Sequence, residues 1–462
     1  MSTAFLPALE QARLVRERQL SAVELVEDYL ARIERLDPEL NAYVTVCADE
    51  ALAQARAPLE GPFAGVPLPI KDLVDTAGIR TTYSCKAFAD NVPAEDVELV
   101  RRIRAAGFVL LGKTNTPEFG TTAVTESGLN GICRNPWDTA RTPGGSSGGA
   151  AAAVAAGLAP LAQASDGGGS IRIPASCCGL FGLKPTRGRT SPAPRGDAYG
   201  FSVAGSLART VADAAAFLDA IAGPEPGDQY VAPPPARPFL EEIGVPPGRL
   251  RVALVLEPPT RGRVDAACTT AAGDAARLLE QLGHDVDEVS IAWHGDDLGE
   301  LFALVWQTIP TLYRADRSQL DPLNAAFAER AAATSSSDYV GAYVQLQTYG
   351  RRVAAFCAGY DIVLTPTLAL PPVAVGWVRE PDDPWEQYAR ALEFTPFTPA
   401  VNVAGLPAVS LPLSWTDDGL PVGVQLIASF GGEAVLFRVS AQIEEARPWA
   451  ERRPPVGTTS IE

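Results

Sequence analysis

The chain alternates between two kinds of apolar spacing. Ser21 followed by Glu24 forms a helix capping box, and Val23, Val26, Leu30 and Ile33 then lay an apolar stripe at helical intervals. Pro38 is expected to end that helix. The run 66–70, Val-Pro-Leu-Pro-Ile, reads as a strand that opens directly onto Lys71 and Asp72. A helix is expected over 95–106, stopped by Gly107, followed by a strand at 108–111. Further along come a strand at 250–256, a helix at 264–282 and a strand at 361–365. Strands at 408–413 and 422–427 flank the turn Thr416-Asp-Asp-Gly. Helices and short apolar strands in alternation predict an α/β fold.

There is no internal repeat. Pro/Gly-rich stretches at 223–227, 232–238 and 244–248 read as a linker between a Gly/Ser-rich half and a half richer in helix. The polar stretch 331–337 reads as a loop at a helix start. By length alone, 462 residues admit about three domains or one large α/β unit.

Charge narrows the partners. With 38 Lys+Arg against 55 Asp+Glu and a net charge of −17, neither nucleic acid nor an anionic membrane is an expected partner. No apolar run approaches the roughly 18–20 residues of a membrane span, and the start carries no basic-then-apolar leader pattern. Seven scattered Cys favour reduced thiols and a cytoplasmic setting. Cys177 and Cys178 are adjacent, which does not match C-x-x-C metal spacing, and read as core thiols.

The region 143–172 is the most informative about chemistry. Gly144-Gly-Ser-Ser-Gly-Gly149 precedes a run of alanines, so a loop feeds a helix of small side chains that other backbones can approach closely. Asp166-Gly-Gly-Gly-Ser-Ile-Arg172 places three glycines directly before a serine. Such a backbone is free to aim several N–H groups at one spot, where a serine nucleophile would find an oxyanion hole. Taken alone, glycine clusters more often make tight turns or bind phosphate, but neither G-x-x-x-x-G-K-[ST] nor G-x-G-x-x-G after a strand occurs. No G-x-S-x-G elbow occurs either. A serine nucleophile ordinarily uses histidine as base. The two histidines, His284 and His294, sit in no catalytic-looking loop, and His284 reads as a cation at a helix end. A serine hydrolase of this sequence therefore calls for a lysine base, although a lone lysine at a strand end, as at Lys71, ordinarily reads as a solvated charge.

The glycine-serine blocks at 144–149 and 166–172, with Ile70-Lys71-Asp72 upstream, resemble the amidase signature family. So do Gly112-Lys-Thr-Asn115, Gly182-Leu-Lys-Pro-Thr186, Leu207-Ala-Arg-Thr-Val-Ala-Asp213 and Gly423-Val-Gln425, a resemblance reaching from about residue 10 to 453. Within that family, 397–407 and 448–453 are most similar to bacterial nylon-oligomer (6-aminohexanoate cyclic dimer) hydrolases and metagenomic urethanases.

The resemblance implies a single α/β/α sandwich domain around a large mixed, mainly parallel sheet, with N-terminal helices over 1–60, a catalytic core over 61–225 and a cleft-capping region over 300–395. It implies a triad of Lys71 as base, Ser146 as bridging serine after a cis Gly145–Ser146 peptide, and Ser170 as nucleophile. The N–H groups of Gly167, Gly168, Gly169 and Ser170 would hold the oxyanion. Ser147 would support the bridging serine, and Asp166 and Arg172 would brace the loop. Many members carry a bulkier residue where this chain has Gly167, so a looser oxyanion loop is expected.

To act as a base near neutrality, Lys71 must lose about 3 units from its reference of about 10.4, roughly 4 kcal/mol. The Asp72 side chain must then point away, as strand alternation allows. Thr121, the rest of 121–129, and 396–402 would line the pocket, with Tyr83, Phe119 and Trp137 as walls. Trp306, Tyr313, Tyr339, Tyr343 and Trp385 would belong to the cap.

The expected activity is cofactor-free, metal-free hydrolysis of small, largely hydrophobic amides or carbamates by a monomer or homodimer. The alternatives are a nylon-oligomer amidase without urethanase activity, the glutaminase subunit of a tRNA-dependent amidotransferase, or a catalytically silent binding protein.

Overall fold

The computed structural model describes residues 3–196, 198–260, 262–291 and 298–458. The capping box forms as expected. Ser21 Oγ accepts from the Glu24 N–H at 3.0 Å, and the Glu24 carboxylate accepts from the Ser21 N–H at 2.9 Å. The helix Ala22–Leu40 runs through Pro38 rather than ending there. Pro38 falls in the last turn, and the stop is supplied by left-handed Asn41, whose amide donates to the carbonyls of Asn130 and Ile132. The helix Glu98–Ala105 starts later than expected. Asp96 is held outside it by the Ala77 N–H at 2.7 Å and by Arg104.

A small sheet comes first. Strands Tyr43–Val46 (β1), Pro67–Lys71 (β2) and Val109–Thr114 (β3) lie in the order β1-β3-β2, with β2 parallel to β3. A short hairpin follows, Glu126–Ser127 (β4) with Gly131–Ile132 (β5). The large sheet takes strands from both sides of the Pro/Gly-rich stretch: Leu161–Asp166 (β6), Phe181–Lys184 (β7), Val203–Ala208 (β8), Arg251–Leu254 (β9), Asp285–Glu288 (β10), Ile362–Pro366 (β11), Ala408–Trp415 (β12) and Pro421–Ile427 (β13). Their order is β10-β9-β11-β13-β12-β7-β8-β6. Because β7 pairs with β12, the sequence around 223–248 is a surface excursion and does not separate two sheets.

The sheet is mixed, as expected, but it is not mainly parallel. Only β9–β10 and β9–β11 pair in parallel; β11–β13, β13–β12, β12–β7, β7–β8 and β8–β6 are antiparallel. The helix Arg172–Cys178 does return the chain so that β6 and β7 run the same way, but β8 inserts between them, antiparallel to both. Alternating elements reveal the crossover and not the strand that later fills the gap.

Both faces of the sheet are covered. One packs on the helices Val211–Ile221, Ala266–Gln281 and Glu433–Ala446 through residues such as Phe217, Leu279 and Phe437. The other packs on Leu298–Trp306, Ser336–Cys357 and Pro399–Ala404 through Phe302, Leu346 and Val401. The expected loop at 331–337 shrinks to Thr334 and Ser335 between two helices, with Ser335 capping the second. The helix Gly148–Ala155 is buried throughout. A Cβ at Gly149 would lie 2.4 Å from the Asn115 amide nitrogen, so this helix lies against backbone, as its small residues suggested. Among the described residues, no helix is long and apolar enough to cross a membrane.

Candidate active site

Lys71 ends β2 and is fully buried, not solvated. Its own N–H donates to Gln163 Oε1 on β6 at 3.1 Å, which ties the small sheet to the large one. Its Nζ lies 2.7 Å from Ser146 Oγ and 3.2 Å from Ser165 Oγ. Among the described residues no carboxylate forms an ion pair with it. Asp72 turns the other way and accepts from the Thr82 N–H at 3.1 Å. Burial brings the Lys71 ammonium down to about 7, with the charge of Asp166 opposing the shift. An amine held there is available as a base near neutral pH.

Ser165 and Gln163 were missed by the sequence reading. Both stand on β6 two residues apart, so they share a face. Two polar residues on one face of β6 were the available signal.

Ser146 follows the cis Gly145–Ser146 peptide. Thr125 holds this loop from outside: its Oγ1 donates to the Gly144 carbonyl at 2.8 Å and accepts from the Gly148 N–H at 3.1 Å. The Ser147 N–H donates to the Ser170 carbonyl at 3.2 Å, and Ser147 Oγ donates to the Ser165 carbonyl at 3.3 Å. Ser147 thus joins the two loops that carry Ser146 and Ser170. Both of those hydroxyls border one cavity. The structure gives a hydrogen bond between Lys71 and Ser146, but none between Ser146 and Ser170.

Asp166 and Arg172 form a fully buried ion pair, with Arg172 Nη2 2.9 Å from Asp166 Oδ1. Burial alone would raise the Asp166 carboxyl. The Arg172 charge and hydrogen bonds outweigh it and hold the acid well below the usual carboxylate range. Arg172 also donates to Gln425 Oε1 at 2.6 Å and to the Thr398 carbonyl at 3.1 Å, and Asn402 Nδ2 donates to the Asp166 carbonyl at 3.0 Å.

One backbone donor of the expected oxyanion set is already engaged: the Gly169 N–H donates to Asp166 Oδ1 at 2.7 Å. The N–H groups of Gly167, Gly168 and Ser170 have no protein acceptor among the described residues. Gly169 itself has φ +134°, and a Cβ there would strike Thr398 Oγ1 at 2.2 Å. That hydroxyl is fixed by donating to the Gly168 carbonyl at 2.7 Å.

The cavity measures about 990 Å³. Its apolar wall includes Leu73, Tyr83, Phe119, Trp306, Ile309 and Tyr313, and Asp75 and Arg195 pair at its rim. The placement of Tyr83 and Phe119 agrees with expectation. Trp137 does not line the cavity; it packs against Trp415 and donates to the Cys178 carbonyl at 2.9 Å. The segments 121–129 and 396–402 also stay off the wall, acting behind it through Thr125, Thr398 and Asn402. Of the aromatics expected in the cap, Trp306 and Tyr313 reach the cavity, Tyr339 joins the apolar cluster under the helices, Trp385 packs on Phe327 and Tyr388, and Tyr343 packs on Phe201 and donates to the Tyr199 carbonyl at 3.2 Å.

The expected looseness at Gly167 is not found, because Trp306 occupies the space: a Cβ at 167 would meet its ring at 2.8 Å. His284 is buried and structural. Its Nδ1 accepts from the Leu250 N–H at 3.1 Å and its Nε2 faces Gln442 Oε1. His294 lies outside the described residues. All seven cysteines are free and buried, and no metal-holding cluster occurs among the described residues.

The Amidase family matches residues 24–437. The chain is 39% identical to a 6-aminohexanoate-cyclic-dimer hydrolase of Paenarthrobacter ureafaciens, over 97% of this chain and 96% of that one. It is 41% identical to the putative amidase AmiB2 of Mycobacterium tuberculosis, over 98% of each. A solved 6-aminohexanoate cyclic dimer hydrolase superposes with a TM-score of 0.95 at 36% identity, covering 99% of this chain and 100% of the other. The chain therefore belongs to the amidase signature family, and it is an enzyme that hydrolyses amide C–N bonds.

Proposed function

We propose that the enzyme cleaves amides and carbamates of small, largely apolar substrates through a Lys71–Ser146–Ser170 relay and a covalent acyl-enzyme. The observation that carries this reading is the buried Lys71 amine, 2.7 Å from the Ser146 hydroxyl and paired with no carboxylate. Neutral Lys71 takes the Ser146 proton as Ser146 takes that of Ser170, and Ser170 Oγ bonds to the carbonyl carbon. The oxyanion is met by the N–H groups of Gly167, Gly168 and Ser170. A lost donor of this kind costs about 3–4 kcal/mol of transition-state stabilisation. Gly169, its N–H held by Asp166, serves the loop's shape instead.

Ser146 then delivers the proton to the departing nitrogen, and the C–N bond breaks to free the amine. Water activated by the same relay adds to the acyl-enzyme and releases the acid. With a carbamate the first stage leaves an alkoxycarbonyl-enzyme, and hydrolysis yields the alcohol and carbon dioxide.

The aromatic wall supports an apolar substrate. Similarity to cyclic-dimer hydrolases supports nylon-type amides among the substrates. The test is a panel of p-nitroanilides, aryl carbamates, nylon oligomers and glutamine on the purified chain. Turnover of anilides and carbamates, with Ser170 labelled by a fluorophosphonate, is expected. Turnover of glutamine alone would assign the chain to the glutaminase class, and an unlabelled Ser170 would refute the covalent route.

A further inference from the structure

The glycines at 167–168 leave the back of the oxyanion loop bare, and aromatic side chains from distant sequence cover it. A Cβ at Gly167 would meet Trp306 Cη2 at 2.8 Å, and one at Gly168 would meet Phe302 Cζ at 3.3 Å. Both rings come from the helix Leu298–Trp306 and stack with centroids 5.0 Å apart. Phe302 stacks in turn on Phe201 at 5.8 Å. Trp306 is pinned on its polar edge, where Nε1–H donates to the Thr121 carbonyl at 3.0 Å. It is 9% exposed and borders the cavity that holds Ser170. On the other flank, a Cβ at Gly120 would meet Leu73 Cδ1 at 2.7 Å and Ser146 Oγ at 3.0 Å. Leu73 and Gly120 therefore flank the bridging hydroxyl.

We infer that Trp306 is a specificity-determining wall for the acyl half of the substrate, while Leu73 bounds the amine half. This rests on the acyl-enzyme reading above. Ser146 must hand its proton to the leaving nitrogen, so the amine lies along the Ser146 flank. The carbonyl sits against the N–H groups at 167–170, and the acyl chain leaves on the opposite side, along the indole. A large planar ring fixed by a hydrogen bond and by a stack on Phe302, which is itself stacked on Phe201, has little freedom to yield. It admits an unbranched chain and rejects branching beside the carbonyl. Gly167 and Trp306 form a matched pair: there is room for one side chain at that point, and the cap supplies it.

The experiment uses the full chain and two substrate series. One holds the amine constant as p-nitroaniline and varies the acyl group from acetyl through hexanoyl to isobutyryl and pivaloyl. The other holds hexanoyl constant and varies the amine. Trp306→Ala is expected to raise the isobutyryl-to-acetyl ratio of kcat/KM roughly tenfold or more, with ratios in the amine series unchanged. Trp306→Phe is expected to fall between. Gly167→Ala is expected to lower turnover of every member, and the double variant Gly167→Ala/Trp306→Ala to recover part of that loss. A merely structural tryptophan would move all substrates in parallel. Acyl ratios that stay flat in Trp306→Ala, or acyl and amine ratios that shift together, would overturn the inference. Acetyl p-nitroanilide with Ser170→Ala separates the two readings. Retained turnover there would refute the acyl-enzyme itself, whereas a dead Ser170→Ala with flat acyl ratios would sink only the role of Trp306.

Discussion

The site joins two regions built on opposite plans. Asp166 and Arg172 are both buried, paired and hydrogen-bonded, and their ties reach two other segments, 398–402 and β13. The cap over 298–394 is held mainly by aromatic and aliphatic packing. Its polar ties to the rest of the chain are single bonds spread along its edge: Asn324 donates to the buried Glu118 carboxylate at 2.8 Å and accepts from Thr121 Oγ1 at 2.8 Å, Trp306 donates to the Thr121 carbonyl, Asp321 accepts from the Gly128 N–H, Glu126 accepts from the Gly376 N–H and Tyr343 donates to the Tyr199 carbonyl. Directional bonds fix atoms that must react at a set distance. Non-directional packing encloses a substrate and tolerates change. Chemistry is therefore assigned to the rigid region and selectivity to the cap.

The sharpest way to break this contrast is to remove the proposed reacting groups. Ser170→Ala and Lys71→Ala should each lose at least about a thousandfold in kcat while near-UV circular dichroism stays native. A fold that collapsed with Lys71→Ala would mean that the lysine is structural. Next, Arg172→Met strands the Asp166 carboxylate. A broken buried pair costs about 3–5 kcal/mol, so a large fall in the denaturation midpoint is expected, together with lost activity. A comparable fall on replacing a cap residue would erase the distinction.

The pH profile sharpens the comparison further. In the proposed relay Lys71 works as the free base, so kcat/KM should fall about tenfold per pH unit below about 7 and level off above it. Lys113 is just as buried, and burial also lowers it, to about 8. Its Nζ is enclosed by the Val74 carbonyl and by Thr76 and Thr81 hydroxyls at 3.1 and 3.0 Å, so Lys113→Met should leave the limb near 7 in place. Stability follows the same sign. Between about 7 and 10.5 the unfolded chain binds the proton that native Lys71 has shed, so stability should rise with pH across that window. The smallest effect is expected from Asn324→Ala, which leaves Glu118 short of a partner: about 1–3 kcal/mol of stability and a higher KM at nearly constant kcat. A fall in kcat alone would place the link in the chemistry.

What the sequence disclosed follows the same division. The two proposed reacting serines lie in short glycine-serine runs whose backbone demands leave a local mark, and the Asp166–Arg172 brace lies within seven residues. Lys71 was identifiable only through its neighbours in the motif, because burial of a strand-end lysine depends on what packs over it. Ser165 and Gln163 lie on β6, a strand that the pattern of apolar positions did not disclose. The cavity wall was the least legible part. Tyr83 and Phe119 were expected there, but Leu73 and Trp306 come to the cavity from elements far apart in sequence, so pairing Gly167 with Trp306 needed three-dimensional contact. The strand order failed to show for a similar reason: β8 enters between β6 and β7 after both are already placed along the chain.

The hydrogen bond from the Lys71 amide to Gln163 has a consequence for how the enzyme fails. The proposed proton acceptor ends a strand of the small sheet and the proposed nucleophile follows β6 of the large one, so this seam sets their spacing. A slip of one ångström along it would silence turnover while leaving each layer intact. Loss of catalysis is thus an early gauge of strain between the layers, well ahead of any melting of the whole.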